Sequence, residues 1–180
     1  MKTCGGEVEG VASITLPRFD DHRGTFCQAW SPEIVPECPD FQQDNLSWSS
    51  RGVLRGLHFQ DPAPQGKLVI IVQGSIFDVV VDLRPASPTF GHWQGCLLES
   101  SEGVVLWVPP GLAHGFYVPE GEAIVLYKCT TRYQPGGQHV LAWDDSDLAI
   151  EWPVPPGEQP VLSERDASGR SWREIKSGFA

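Results

Sequence analysis

Apolar and β-branched residues along this chain gather into short runs, each closed by glycine or proline. The clearest runs are Lys67–Gln73, Ser75–Leu83, Trp93–Leu98, Val104–Val108, Ala113–Val118 and Ala123–Thr130. Their composition predicts strands. Between them stand turn residues: Gly74, Pro85 to Pro88, Glu102-Gly103, Pro109-Pro110-Gly111 and Pro119 to Gly121. No stretch of about 12 residues or more keeps a helical period. Short helices are expected only near Pro32–Val35 and after Ser163. Many short, evenly spaced strands predict a mainly β fold, an antiparallel sandwich or barrel of the jelly-roll type.

Alternation within one strand bears on the interior. From Ile76 to Leu83, Phe77, Val79, Val81 and Leu83 share one face, while Ile76, Asp78, Val80 and Asp82 share the other. A mixed face of acids and aliphatics suits the inside of a barrel that holds a polar ligand. It also suits an outer face with two ordinary surface acids, and the pattern alone leaves both open.

Composition narrows the class. With 41% hydrophobic and 20% charged residues the 180-residue chain reads as a globular protein, one domain over residues 1–180. Residues Met1 to Gly10 carry no apolar run of the signal-peptide kind, and no run approaches the roughly 20 apolar residues of a membrane span. A cytoplasmic protein without a membrane partner is therefore expected. A net charge of −10 argues against nucleic acid as partner, but a few cleft cations can still hold a small phosphate ligand. The five cysteines (Cys4, Cys27, Cys38, Cys96 and Cys129) show no CxxC spacing. They are expected to be reduced packing residues.

Four segments carry candidate chemistry. Arg51 to Gln60 sets Arg55 and His58 among apolar residues and glycines. Histidine titrates near neutrality and is the usual general base, although most histidines in such runs are structural. By strand parity Arg55 and His58 face opposite ways, unless a bulge at Gly56 re-aims one of them. Lys67 opens an apolar strand, where it could reach a phosphate or simply sit in solvent. Pro109 to Phe116 contains a P-x-G-x-x-H pattern ending at His114, similar to the second half of a cupin signature, where the histidine often binds metal. The first half would need His-x-His and a later Glu, and the chain offers only His58-Phe59-Gln60. Three or four metal ligands cannot be assembled. Finally, Tyr127 and Lys128 lie on opposite faces of a strand, so one of them points inward. A tyrosine there could hydrogen-bond to backbone or act as a general acid.

In order, these segments resemble the dTDP-4-dehydrorhamnose 3,5-epimerase family. The matching text runs through Arg23-Gly24, Gln43-Asp44-Asn45, the VLRGLHFQ run from Val53, QGKL from Gln65, FDVVVDLR from Phe77 and SPTFG from Ser87. It continues through PPGLAHGF from Pro109, LYKCT from Leu126, Ile150 to Pro153 and Leu162 to Asp166. Each motif alone is weak, while the ordered set is specific and spans nearly the whole chain.

The resemblance implies a cupin-type double-stranded jelly roll without cofactor or metal, and a homodimer with exchanged N-terminal strands. It implies that His58 is the base, polarised by Asp166, which lies 108 positions away and by itself reads as a solvated acid. Tyr127 would be the acid on the opposite ring face, and Lys67 would steady the enolate. Arg55, Gln43, Asn45, Arg23 and His114 would line the substrate site, with the Arg23 segment crossing to the partner. Where the family commonly has an acid five positions after this arginine, the chain has Gln28, in a region expected to contact the nucleotide base.

The implied substrate is a dTDP-4-keto-6-deoxyhexose. Its ketone acidifies the hydrogens at C3 and C5, and the enolate oxygen needs a cation or donor. A proton returned from the far face inverts the carbon. The chain has no glycine-rich dinucleotide fingerprint, and the reaction involves no net redox change. Within the class, the alternative is a mono-epimerase acting at C3 or C5 alone. Outside it stand a non-catalytic sugar-nucleotide-binding cupin, against which His58, Asp166 and Tyr127 argue together, and a metal-dependent cupin, which fails on ligand count.

Overall fold

The computed structural model describes residues 3–35 and 40–178. Among these, thirteen strands follow one another: β1 Thr3–Gly5, β2 Ala12–Thr15, β3 Arg18–Asp21, β4 Gly24–Cys27, β5 Gln43–Ser50, β6 Leu54–Gln60, β7 Lys67–Gln73, β8 Ser75–Asp82, β9 Trp93–Glu99, β10 Val104–Val108, β11 Leu112–Tyr117, β12 Glu122–Cys129 and β13 Gln138–Val140. Two short helices close the chain, α1 Glu164–Ala167 and α2 Trp172–Ser177.

The strands form a six-stranded sheet in the order β1-β9-β8-β11-β6-β13 and a five-stranded sheet in the order β2-β10-β7-β12-β5. Strands β3 and β4 stand apart as a hairpin. All of these ladders are antiparallel, and most join strands that are not neighbours in sequence, as in a jelly roll. All six runs singled out above as strands are strands, with ends differing by no more than one residue.

Three apolar clusters explain the layering. Ile76 and Val80 of β8, Val69 and Ile71 of β7, Leu106 of β10, Phe116 of β11 and Val125 of β12 fill the space between the sheets. Phe77, Val79 and Val81 point the other way, where Leu141, Leu148, Trp172 and Ile175 of the C-terminal segment cover them. Leu68, Ile70 and Val105 form the outer face of the five-stranded sheet, under Leu16 and Val35. The mixed face of β8 is thus the barrel interior. Asp78 and Asp82 are both buried, at 1% and 0% exposure. Asp82 accepts hydrogen bonds from Arg84, Ser87 and Thr89 and pins the loop that follows β8.

One expected helix is absent. Residues 32–34 form a turn, in which the Ile34 N–H donates to the Ser31 carbonyl at 3.0 Å. The sequence supplies the reason: Pro36 and Pro39 lack the N–H that a helix would need there. The helix expected after Ser163 is present. Cys27, Cys96 and Cys129 form no disulfide among the described residues, and Cys38 lies outside them. No helix among the described residues is long and apolar enough to cross a membrane.

Local geometry in β6 decides what enters the barrel. His58 pairs with His114 and Arg55 with Phe116, so three steps on β6 match two on β11. The extra residue lies at Gly56–Leu57, and it returns Arg55 and His58 to the same face. Gly56 has φ +105°, and a Cβ there would stand 2.7 Å from the His114 carbonyl oxygen and 2.8 Å from Gly115 Cα. Both obstacles are backbone and cannot step aside. Gly56→Ala is therefore expected to destabilise the protein by about 2 kcal/mol or more, lowering Tm by roughly 4–8 °C in a thermal melt followed by circular dichroism.

Candidate active site

A cavity of about 340 Å³ opens between the two sheets. One wall is the six-stranded sheet, which contributes Arg55 and His58 from β6 and His114 and Phe116 from β11. The facing wall is the five-stranded sheet, which contributes Gln43, Asn45 and Ser47 from β5, Lys67 from β7, and Tyr127 and Cys129 from β12. Tyr133, Gln65 and Gln138 stand around it from the loops and β13.

His58 Nε2 lies 2.6 Å from Asp166 Oδ1. The C-terminal segment reaches it through parallel bridges, Val53 with Val161 and Leu141 with Arg170. Ser163 caps α1 by accepting from the Asp166 N–H at 3.1 Å, and its hydroxyl donates to Asp166 Oδ2 at 2.8 Å. Burial alone would raise the Asp166 carboxyl, but the hydrogen bonds from His58 and Ser163 outweigh it and hold it below the usual carboxylate range. The carboxylate is thus ionised at neutral pH and accepts the Nε2 proton, which leaves the lone pair on Nδ1. This is the arrangement of an oriented base.

A second histidine stands beside the first. His114 Nε2 is 2.7 Å from Asp78 Oδ2, and both residues are buried. Burial pushes the His114 imidazole down, partly offset by Asp78. Asp78 Oδ1 is buried without a hydrogen-bond partner among the described residues. Burial likewise pushes the Lys67 ammonium down, and that ammonium has no hydrogen bond or ion pair among the described residues. It is a half-buried cation facing the cavity with donors unspent, a site for an anionic oxygen.

Tyr127 points inward, packed against the interior cluster, and its phenol lies 3.0 Å from Ser47 Oγ. Burial raises the phenol above its ordinary value. Lys128 takes the outer face, where Nζ pairs with Asp44 at 2.8 Å and sits over the Trp30 ring. Arg55 is aimed by Ser49 Oγ at 2.9 Å and the Trp48 carbonyl at 3.1 Å. Gln43 donates to Asn45 at 2.8 Å, and Asn45 in turn bonds Cys129 Sγ at 3.6 Å.

Eight of the ten expected site residues therefore meet around this cavity: His58, Asp166, Tyr127, Lys67, Arg55, Gln43, Asn45 and His114. Arg23 and Gln28 do not join them in this chain. Arg23 is exposed at the β3–β4 turn and pairs with Asp21, and Gln28 is exposed just beyond β4. Asp78, Ser47 and Tyr133 were missed. The acid on the mixed face of β8 was the available signal for Asp78. The alternation of Gln43, Asn45, Ser47 and Ser49 was the signal for Ser47. Nothing in a loop pattern marks Tyr133. No group of three or more His, Cys, Asp or Glu among the described residues is placed to hold a metal.

The sequence profile of the dTDP-4-dehydrorhamnose 3,5-epimerase family matches residues 6–174. The chain belongs to that family. It is therefore an enzyme of the isomerase class, built on the family's β jelly roll. A dTDP-4-dehydrorhamnose 3,5-epimerase from Neisseria gonorrhoeae is 46% identical over 162 residues. That alignment takes in 88% of this chain, which spans about half (48%) of the Neisseria protein's length. A dTDP-6-deoxy-D-glucose-3,5-epimerase from Legionella pneumophila, solved with dTDP-4-keto-L-rhamnose, superposes with a TM-score of 0.90 at 38% identity, covering 99% of this chain and 97% of that one. ChmJ, a 3'-monoepimerase from Streptomyces bikiniensis solved with dTDP-quinovose, is similar at a TM-score of 0.87 and 31% identity, covering 96% and 88%. Enzymes that differ in which carbons they invert thus share this frame.

The depressed Asp166 carboxyl has a thermodynamic consequence. Its folded value lies below the unfolded one, near 3.9, so its stabilisation is full well above that pH and is lost as pH falls through the folded value. Asp166→Asn is expected to lower the urea midpoint at pH 7. The two midpoints should converge as pH drops below about 4, a comparison that equilibrium denaturation at a series of pH values checks directly.

Proposed function

We infer that this epimerase acts on a dTDP-4-keto-6-deoxyhexose and inverts the carbons beside the ketone, C3 and C5, by enolisation. One observation carries the reading. A carboxylate-held histidine and an inward tyrosine stand on opposite walls of one cavity, His58 on the six-stranded sheet and Tyr127 on the five-stranded sheet. Inversion needs a base on one face of the sugar and an acid on the other.

His58 Nδ1 takes the ring proton, and Asp166 stabilises the imidazolium that forms. Charge develops on the former ketone oxygen, where Lys67 offers an unspent ammonium in a partly dry site. Tyr127 gives its proton to the opposite face of the carbon. Arg55, held rigid by Ser49 and the Trp48 carbonyl, supplies a cation for the diphosphate, while Gln43, Asn45 and His114 complete the polar lining. These steps call for neither metal nor nicotinamide.

Residues 1–180 act in this reading as one domain in a cytoplasmic homodimer whose N-terminal strands are exchanged. The β3–β4 hairpin carries Arg23 and leads to Gln28, and it exposes Phe19 and Phe26 at 61% and 68%. Far from its own cavity, it suits the mouth of the partner's, where Gln28 would meet the nucleotide base with an amide. The similarity to ChmJ keeps inversion at one carbon as the second reading.

Arg55→Ala and Lys67→Ala should each raise KM about ten- to a hundredfold, the worth of a lost charge-assisted hydrogen bond. Lys67→Ala should also lower kcat; steady-state kinetics that matched wild type in both variants would remove the two from the site. His58→Ala should abolish deuterium exchange at C3 and C5 alike when dTDP-4-keto-6-deoxyglucose is followed by NMR in heavy water. Tyr127→Phe should keep much of the exchange and lose inversion. A wild-type ratio of inversion to exchange in Tyr127→Phe would return Tyr127 to an ordinary pocket residue.

A further inference from the structure

The acid is more demanding than the base. Burial raises the Tyr127 phenol, so the phenolate left after proton donation is costly in this site. The ring is packed among the apolar residues between the sheets and lies beside the His114 and Phe116 rings. Among the described residues its phenol oxygen has one hydrogen-bond partner, Ser47 Oγ, at 3.0 Å. Ser47 lies on β5, the outermost strand of its sheet, and is partly exposed. It therefore touches the partly buried phenol on one side and lies within reach of water on the other.

We propose that Ser47 is the positioning and proton-supply residue of Tyr127, fixing the phenol toward the sugar and reloading it after each donation. This deepens the reading of Tyr127 as the acid and rests on it. The step balances as follows. The Tyr127 O–H bond breaks as the C–H bond forms. The Ser47 hydroxyl proton passes to the phenolate while a water proton replaces it on Ser47. The proton that His58 took from the substrate leaves to solvent and neutralises the hydroxide, so no net charge accumulates. A double epimerisation draws on this supply twice, so Ser47 matters most to the second inversion.

The test measures inversion against deuterium exchange at each carbon in heavy water with dTDP-4-keto-6-deoxyglucose. Ser47→Ala should lower inversion at least about tenfold relative to exchange, the cost of a lost hydrogen bond to a charged group. It should also accumulate singly inverted product. Ser47→Thr keeps the hydroxyl and should stay close to wild type, whereas Ser47→Val, of the same shape without it, should behave like alanine. The Thr and Val pair decides the matter if alanine perturbs folding. A wild-type ratio in the alanine and valine variants, or an equal fall in exchange and inversion, would overturn the proposal. If Tyr127→Phe loses inversion while Ser47→Val does not, the acid stands and Ser47 alone is excluded. If Tyr127→Phe itself keeps the wild-type ratio, both ideas fall together.

Discussion

The 2.6 Å hydrogen bond between His58 and Asp166 is the interaction on which the rest of this molecule depends. It joins a strand in the first third of the chain to a four-residue helix near its end. An isolated helix of that length has no stability of its own. Its place is fixed by everything between: the parallel bridges at Val161 and Arg170, the Ser163 cap, and Trp172 and Ile175 buried against the outside of β8. The apolar cover of one sheet and the orientation of the His58 imidazole are thus the same structural event.

The interior shows how a barrel can be both a core and a reaction vessel. The deep part between the sheets is aliphatic, and the open part is lined by polar groups, most of them paired or hydrogen-bonded. His114 with Asp78 and His58 with Asp166 are placed side by side on adjacent strands. Each imidazole is held by its own carboxylate, yet the two differ in burial, and with it in chemical character. Low dielectric raises the stakes of every such group, since an unpaired charge there is expensive until a ligand supplies its partner. Lys67 is in that state.

Much of this was legible in the sequence, and the misses have physical causes. Strands β7 to β12 announce themselves because each must bury one or both faces, and burial selects β-branched residues. Strand β5 was not seen because its inward residues are polar and its outward ones, Leu46 and Trp48, are exposed. A pattern reader expects the reverse. The parity conflict between Arg55 and His58 pointed correctly to an irregularity at Gly56, since only glycine tolerates a φ of +105° against backbone that close. The pairing of His58 with Asp166 could come only from family resemblance, because no local periodicity links residues 108 positions apart. Arg23 and Gln28, which the family resemblance puts in the substrate site, lie outside the cavity of this chain.

The two walls of the cavity are not mechanically equivalent. His58 stands on β6, which has β11 and β13 as neighbours, and it is locked by the C-terminal segment. The strand facing it, β5, has β12 alone as a ladder partner among the described residues and carries Gln43, Asn45 and Ser47 on its inner face. Substitutions there change the lining of the cavity without opening the aliphatic interior, so their folding penalty is small. A laboratory library aimed at new stereochemical outcomes would be best concentrated on those alternating positions of the border strand.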